Sequence, residues 1–415
     1  MPLQGELDLD EVQARHAARV REHIGTCIER AGGWISFERF MDLALYAPGL
    51  GYYSAGARKL GAGGDFTTAP EISELFGACL ARQCAEVLQA IGGGTLLEVG
   101  AGSGRLAADL LARLESLGSL PARYAILEVS ADLRERQRDL LAARLPHLLG
   151  RIAWLDAPPA EPFDGVVIAN EVLDALPAAR FRWHATHVEE LGVALRGSAL
   201  VPQARPAGEE LTRACRRLAA AGAERTGGER WTGSGGGADG DGGADGDGWA
   251  DGYESEYCAR LEPFTHAVTR ALRAGAVLWI DYGLPRRQYY LPERRTGTFL
   301  CHFRQRAHDD AFFCPGLQDM TAWVDYTWLA ECGRSAGFSI SGFATQGYLL
   351  AALAIDQEMA IMAAGREGEL ARLAAQARRL MMPGEMGERF KAMAWSRGLD
   401  APLKGFSLQD LRHTL

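Results

Sequence analysis

The chain has 415 residues, 47% of them hydrophobic and 23% charged, and its formal net charge is −9. This composition is typical of a globular protein with a substantial core, and the acidic balance argues against general binding to nucleic acids or anionic membranes. The eight cysteines show no C-x-x-C spacing, which argues against a zinc ribbon and against a disulfide framework.

Localisation is inferred from signals that the sequence lacks. The first ten residues carry three acids and no apolar core, which fits neither a secretory signal nor a transit peptide. No segment approaches the roughly 18 consecutive apolar residues that span a membrane. We therefore expect a cytoplasmic bacterial protein without membrane insertion.

Residues 1–90 are predicted to form a helical cap or lid. Apolar residues recur at helical spacing within residues 9–31, and Ser36 is a suitable N-cap for a second helix. A Gly- and Tyr-rich loop follows over residues 47–64, and Pro70 suits the first turn of a third helix. Because these segments precede the predicted sheet, they are expected to cover it.

The run L-L-E-V-G-A-G-S-G-R-L at residues 96–106 joins an apolar strand to a helix. Gly100, Gly102 and Gly104 tolerate unusual backbone dihedrals and let a ligand lie against the main chain, and the following helix offers unpaired N–H groups. Dinucleotide-binding turns have the spacing G-x-G-x-x-G, whereas here the third glycine comes one residue early and Arg105 stands in its place. The pattern predicts a nucleotide-cradling turn of another type; a tight turn without a ligand is the alternative.

A second apolar run, residues 123–129, predicts the next strand. It contains Glu128, which lies 24 residues beyond Gly104. An acid at the tip of the second strand of a doubly wound sheet can accept hydrogen bonds from ribose hydroxyls. Together with the glycine turn, this acid favours ribose contact over a solvated loop carboxylate.

A third strand is predicted at residues 164–169, and it leads into N-E-V-L-D-A-L-P. Ligands bind at the carboxyl ends of parallel strands in open α/β sheets. Asn170, Glu171 and Asp174 are therefore expected to face the ligand. The alternative is that the two acids only favour the N-terminus of a helix, which stabilises by roughly 0.3–1 kcal/mol each.

Residues 91–201 are predicted to form the first part of an α/β core, with an antiparallel excursion over residues 181–201. Residues 202–256 are predicted to hold a helix and a disordered insertion, because ten of the 20 residues at 233–252 are glycine and five are aspartate. A calcium loop starting at Asp245 is a weaker alternative, since Trp249 stands at a ligand position.

The second part of the core is predicted at residues 257–355. It is expected to comprise a helix, an apolar strand at 274–283, an Arg- and aromatic-rich loop, a helix from residue 321 and a closing hairpin of 338–343 with 348–353. Residues 356–415 are predicted to be helical. His302 and His308 of the loop match no standard metal spacing, and we expect no metal site.

Several segments together resemble the MidA-like methyltransferases, relatives of a mitochondrial complex I assembly factor that dimethylates an arginine of a complex I subunit. The E-x-G-x-G-x-G turn alone resembles the first motif of class I methyltransferases, which hold S-adenosylmethionine. The other segments that carry the resemblance are residues 45–53, 64–71, 170–177, 281–283, 318–326 and 345–347. The resemblance covers most of the chain outside residues 202–252.

The resemblance implies an α/β fold with a Rossmann-like class I methyltransferase sheet, an N-terminal helical cap and inserted and C-terminal additional elements. It implies S-adenosylmethionine as the cofactor and a protein arginine as the methyl acceptor. The catalytic candidates are Glu171, Asp174 and Asn170. The candidate cofactor-binding residues are Glu98, Gly100, Ala101, Gly102, Gly104, Glu128, Val129, Asp65, Phe66, Thr67 and Asn170.

Two positions depart from the family pattern. Trp323 and Gln305 stand where relatives usually have histidine, which puts identical substrate choice in question. Two other functions remain open at this stage. One is a small-molecule methyltransferase that uses Glu171 or Asp174 as a general base, and the other is a non-catalytic assembly factor that binds S-adenosylmethionine.

Overall fold

The structure, a computed structural model, describes residues 9–54, 67–223, 249–399 and 401–415. Its helices are α1 (Glu11–Arg30), α2 (Phe37–Tyr46), α3 (Ala69–Ile72), α4 (Glu74–Ala90), α5 (Arg105–Ser116), α6 (Ala131–Arg144), α7 (Glu209–Ala223), α8 (Leu261–Thr269), α9 (Arg286–Tyr289), α10 (Tyr326–Ser335), α11 (Gln346–Ala352), α12 (Ile355–Ala363), α13 (Glu369–Met381) and α14 (Met386–Arg389). Its strands are β1 (Trp34–Ser36), β2 (Thr95–Val99), β3 (Arg123–Leu127), β4 (Ile152–Leu155), β5 (Phe163–Asn170), β6 (Ala179–Trp183), β7 (Val188–Arg196), β8 (Ala199–Pro206), β9 (Tyr253–Tyr257), β10 (Leu272–Leu284), β11 (Leu300–Phe303), β12 (Arg306–His308), β13 (Asp319–Thr321), β14 (Val324–Asp325), β15 (Ser339–Thr345) and β16 (Phe390–Arg397).

The central sheet has the strand order β15-β16-β10-β5-β2-β3-β4, with β14 paired to the end of β10. The strands from β10 to β4 run parallel, and β16 is antiparallel to both β10 and β15. In chain order the five parallel strands of this path form the doubly wound arrangement 3-2-1-4-5. The predicted Rossmann-like sheet is confirmed.

Helices cover both faces of the central sheet, because successive side chains of a strand point to opposite faces. Leu96 and Val166 pack with α4, α5 and the helices from α11 to α13. Leu97 and Val167 pack with α8 and α10 on the other face. This burial on both faces explains why β2, β5 and β10 are continuous apolar runs.

The N-terminal region is helical as predicted, and Ser36 caps α2 by accepting the backbone N–H of Arg39. It also contributes the strand β1, which was not predicted and which pairs with β7 of a second sheet. The order of that sheet is β1-β7-β6-β9, and β8 pairs with β7. The antiparallel excursion predicted near residues 181–201 is this sheet. Helix α4 packs in the same core cluster as α5, so it belongs to the α/β core and not to the cap.

The C-terminal third differs from the prediction in two places. Residues 348–353 belong largely to α11 and not to the second strand of a hairpin. The strand that pairs with β15 is instead β16, from the segment predicted to be wholly helical. A short apolar run does not distinguish a strand from a buried helix, and β16 contains Lys391 and two alanines, which favour helices. Its position between β10 and β15 decides its conformation.

Most of the Gly- and Asp-rich tract, including Asp245, lies outside the described residues. Trp249, placed at a calcium-ligand position in the weaker alternative, is buried and stacks on Tyr253 with ring centroids 4.6 Å apart. Across the described ranges, no helix is both long and apolar enough to cross a lipid bilayer.

Candidate active site

A cleft of about 610 Å³ opens at the carboxyl ends of the parallel strands β2, β3 and β5. Its size is typical of a pocket for a small molecule or cofactor. The parts of the chain that line it are the ends of these strands, the glycine turn, α2, α3 and α8. The lining residues include Asp42, Tyr46, Tyr53, Thr68, Glu71, Glu98, Gly100, Ala101, Gly102, Ser103, Glu128, Val129, Asn170, Glu171, Val172 and Arg260.

All three glycines of the turn have left-handed backbone conformations, with φ of 68° at Gly100, 53° at Gly102 and 84° at Gly104. Gly100 and Gly102 line the cleft. Gly104 is not among the lining residues. It is the N-cap of α5, and a Cβ there would lie 3.2 Å from Cγ of Gln137. Gly104 therefore packs closely against α6.

Glu128 is buried at the tip of β3, with part of its surface on the cleft. Its Oε1 accepts the backbone N–H of Ser130 at 2.9 Å, and its Oε2 accepts the side-chain amide of Gln137 at 3.2 Å. The same Gln137 amide donates to the carbonyl of Gly102 at 2.9 Å, and its Oε1 accepts Trp154 Nε1 at 3.0 Å. Gln137 thus joins the glycine turn to the acid, a residue that sequence reasoning missed.

Glu98 precedes the glycine turn and is buried beneath it. The hydroxyl of Tyr124 donates to its Oε2 at 2.6 Å. Burial raises the pKa of Glu98 to about 7, although this hydrogen bond acts in the opposite direction. A cation in the cleft favours the ionised form, so Glu98 can adjust its charge to its ligand.

Glu171 follows β5 with a left-handed backbone, φ 54°, which is uncommon for a residue with a side chain. Its N–H donates to the carbonyl of Ile280 at 2.8 Å, and its Oε1 accepts the N–H of Ala69 at 3.1 Å and the amide of Asn170 at 3.0 Å. Burial raises the pKa of Glu171 to about 8, and the charge of Asp174 adds to the rise. Backbone strain of this kind persists where surrounding contacts hold it, and it clusters at functional sites.

Asp174 does not reach the cleft, although we expected it to face the ligand. It is buried behind the wall and hydrogen-bonds to the Tyr282 side chain. Asp281 holds the segment before it, since its Oδ2 accepts the backbone N–H groups of Val172, Leu173 and Asp174 at 3.1, 2.9 and 3.2 Å. Asp281 is a second residue that sequence reasoning did not assign to the site.

The mouth of the cleft near Glu171 carries a pair of tyrosines. The rings of Tyr46 and Tyr53 stack with centroids 5.5 Å apart and planes at 20°. The hydroxyl of Tyr53 donates to Oδ1 of Asp319 at 2.9 Å, and that of Tyr46 donates to the carbonyl of Ala175 at 2.9 Å. An aromatic pair backed by a carboxylate suits a flat or cationic group.

The structure brings together in the cleft Glu98, Gly100, Ala101, Gly102, Glu128, Val129, Asn170 and Glu171. Thr67 directly precedes the lining residue Thr68, whereas Asp65 and Phe66 lie outside the described residues. Neither departure from the family pattern is among the lining residues. Gln305 is exposed at the β11–β12 turn, and Trp323 packs against Tyr282.

The sequence profile of a family of S-adenosyl-L-methionine-dependent methyltransferases matches residues 79–344. The chain belongs to this family. Its fold is similar to that of a protein from Burkholderia thailandensis bound to S-adenosyl-homocysteine, with a TM-score of 0.89 and 38% identity over 99% of this chain and 100% of that chain. The native crystal structure of a Burkholderia thailandensis protein gives a TM-score of 0.85 and 37% identity over the same shares.

Curated relatives of this methyltransferase carry a more specific name. The mitochondrial protein arginine methyltransferase NDUFAF7 of Danio rerio is 28% identical over 395 residues, which cover 87% of this chain and 83% of the relative. The human protein of the same name is 26% identical over 404 residues, which cover 88% of this chain and 80% of the relative.

The cofactor of this methyltransferase is S-adenosylmethionine, and the residues of the cleft fit it. Gly100 has a left-handed backbone, and a Cβ there would lie 3.0 Å from Cγ2 of the lining residue Val172, so glycine suits this position of the turn. The buried Oδ1 of Asn170 has no hydrogen-bond partner among the described residues. An acceptor without a partner beside the cleft is expected where a ligand supplies the donor.

Proposed function

We propose that this methyltransferase transfers methyl groups from S-adenosylmethionine to arginine side chains of a protein, and that transfer takes place in the cleft beside Glu171. When bound, the cofactor supplies an electrophilic methyl group on a positively charged sulfur. The observation that carries the arginine proposal is an excess of carboxylates at this end of the cleft. The names of the NDUFAF7 relatives support it.

The glycine turn and Glu128 are the proposed cofactor-binding part of the cleft. Within the protein Glu128 accepts hydrogen bonds from Ser130, Gln137 and the backbone of Val129. A carboxylate has about four acceptor positions, so it retains capacity for a ribose hydroxyl. Asn170 Oδ1 is available to a donor such as the amino group of the methionine portion. Glu98, Ala101 and Val129 complete this wall.

Carboxylates dominate the charges around the proposed acceptor end. Asp174 and Asp319 both act on Glu171 to raise its pKa, and both also raise the pKa of Tyr53. The cation nearest to Tyr46, Arg260, is already paired with Glu38 and Asp42 at 2.6 and 2.7 Å. A cationic acceptor is attracted to such a site, while an anionic acceptor is repelled.

Methyl transfer requires the acceptor nitrogen to lie in line with the bond that breaks, so the protein chiefly positions it and excludes water. A guanidinium arrives protonated and can donate a charge-assisted hydrogen bond to Oε2 of Glu171, since Oε1 already accepts from Ala69 and Asn170. Glu171 is placed to orient the guanidinium, and the stacked pair of Tyr46 and Tyr53 is placed to contact its flat face. The carboxylate of Glu171 also accepts the proton that the methylated nitrogen releases.

A small-molecule acceptor is the second candidate. The pKa of about 8 for Glu171 suits a general base that takes a proton from a hydroxyl or amine near neutral pH. The resemblance to MidA-like methyltransferases instead implies a protein substrate, a subunit of respiratory complex I, in the bacterial cytoplasm. A non-catalytic assembly factor would bind the cofactor without transfer.

Labelled methyl transfer distinguishes these functions. The protein is incubated with methyl-labelled S-adenosylmethionine and a bacterial lysate, and labelled protein is hydrolysed to amino acids. We expect label in methylated arginine, and none with Glu171→Gln, whose cofactor affinity should be unchanged. Label confined to small metabolites would contradict the arginine proposal, and no label despite cofactor binding would indicate the non-catalytic function.

A further inference from the structure

Three potential metal ligands lie at the tip of the β6–β7 hairpin, remote from the cleft. The N–H of His184 donates to the carbonyl of His187 at 2.9 Å, which closes a tight turn and places both imidazoles on one side. The two rings stack with centroids 4.5 Å apart and planes at 10°. With Glu189, these residues offer ligand atoms that all lie within 4.8 Å of one another.

The contacts of His184 prepare one of its nitrogens for a cation. Its Nδ1 lies 3.0 Å from Oδ1 of Asp251, and its Nε2 lies 3.4 Å from Oε2 of Glu189. A neutral imidazole that donates Nδ1–H to Asp251 has its lone pair on Nε2, and a carboxylate behind a ligand histidine is the usual second layer of a metal site. Two ligand atoms about 2.0–2.1 Å from a tetrahedral zinc ion are about 3.3 Å apart, which matches the distance to Glu189.

His187 can complete the ligand set. Its Nδ1 lies 3.1 Å from the hydroxyl of Thr186, so Nδ1–H can donate there and leave the lone pair on Nε2. The His187 side chain is exposed, so its ring can leave Thr186 and the stacked position and turn the Nε2 lone pair towards the same ion as His184 and Glu189.

The charge around the hairpin tip is negative. Glu189, Asp251 and Glu254 contribute three carboxylates, and Arg182 contacts Glu189 at 3.1 Å and Glu254 at 2.8 Å. The Arg182 guanidinium offsets part of this charge, as does that of Arg180, which lies 3.5 Å from Glu254. The remaining negative charge favours a divalent cation over a monovalent one.

We propose that His184, His187 and Glu189 bind one Zn²⁺ ion, with Asp251 hydrogen-bonded behind His184 and a water molecule as the fourth ligand. Two imidazoles and a carboxylate are ligands that suit zinc. No metal site was predicted from the sequence, because only His302 and His308 were considered as histidine ligands. Through Asp251 the ion ties the hairpin to the residues before β9, and this contact is independent of the methyltransferase proposal.

The test uses the full chain without an affinity tag, freed of metal by a chelator and titrated with zinc chloride against a chromophoric chelator. We expect one Zn²⁺ per chain, and an affinity that falls at least 30-fold in His184→Ala and in His187→Ala. The matched control is His23→Ala, since His23 Nε2 lies 4.0 Å from Sγ of Cys27 and is another candidate for zinc. This variant should bind zinc as the wild type does.

Thermal unfolding provides a second measurement. Zinc should raise the Tm of the wild type and of His23→Ala, because a ligand that binds only the folded state stabilises it. The double variant His184→Ala/His187→Ala should have the Tm of the metal-free wild type and show no rise. Absence of zinc uptake by the wild type, or unchanged uptake by the double variant, would overturn the proposal.

Discussion

At the scale of single residues, Glu171 combines an unfavourable backbone conformation with burial close to other carboxylates. It has a left-handed backbone, it is held by Ala69 and Ile280, and Asp174 and Asp319 lie near it. A buried acid with a raised pKa takes up a proton on folding. The protein therefore loses stability as the pH rises from the usual pKa of a glutamate towards about 8, because the unfolded chain releases this proton while the folded protein still holds it.

We predict that Glu171→Gln removes this cost. The Gln Oε1 can still accept from Ala69 and Asn170, so the contacts are retained. The stability of the variant relative to the wild type should increase by about 3 kcal/mol between pH 5 and pH 8, as measured by denaturant unfolding across that range. Glu135→Gln on the exposed side of α6 is the control and should show no such trend. A stability difference independent of pH would show that Glu171 is ionised in the folded protein.

Gln137 illustrates what sequence cannot show at this scale. It is one polar residue on a polar helix, and nothing in the spacing of α6 distinguishes it from its neighbours. Its importance comes from three hydrogen bonds, to Gly102, Glu128 and Trp154, on separate segments of the chain. Only the assembled fold brings these partners together.

At the scale of elements, the site depends on how adjacent strand ends support one another. The end of β10 supplies Asp281, whose carboxylate accepts three backbone N–H groups of the segment after β5 and that of Tyr282 at 2.9 Å. These bonds fix the turn that presents Glu171 to the cleft. Asp281 is therefore a positioning residue.

We predict that Asp281→Asn lowers the stability by about 2 kcal/mol. The NH2 group of the asparagine must face a backbone N–H that the wild-type carboxylate accepts, so at least one hydrogen bond is lost. The kcat of methyl transfer should fall at least 10-fold, more than the KM for the acceptor rises. The matched control is Asp164→Asn near the other end of β5, where the exposed pair with Arg273 contributes little. Equal losses in the two variants would contradict a positioning role for Asp281.

Elements with a clear period or a clear cap could be predicted from the sequence: the strands β2, β3 and β5, and helices α1 and α2. Elements decided by tertiary partners could not. The strand β16 has no β-strand signal and is stabilised by β10 and β15 on either side. The acid Glu358 of α12 is fully buried because Arg82 and Arg113, from two other helices, pair with it.

At the scale of the whole molecule, the methyltransferase is a doubly wound sheet whose cleft at the carboxyl edge is lined by α2, α3 and α8 in addition to the strand ends. The parallel arrangement of β2, β3 and β5 could be predicted from the sequence, as could the clustering of Glu98, the glycine turn, Glu128, Asn170 and Glu171 at one edge, whereas β4 was not predicted. The exclusion of Gly104 and Asp174 from the cleft does not follow, because spacing places a residue at a strand end but does not set the direction of its side chain.

The central claim is that the glycine turn is the cofactor site, and calorimetry with S-adenosyl-homocysteine tests it most directly. Gly102→Val should weaken binding at least 100-fold, because a β-branched side chain occupies cofactor volume. Gly118→Val is the matched control, since Gly118 has a similar φ of 65° but lies in an exposed turn with open space around it; both variants carry the backbone strain. We predict that Gly118→Val binds as the wild type does, whereas equal affinity in Gly102→Val and the wild type would contradict the assignment.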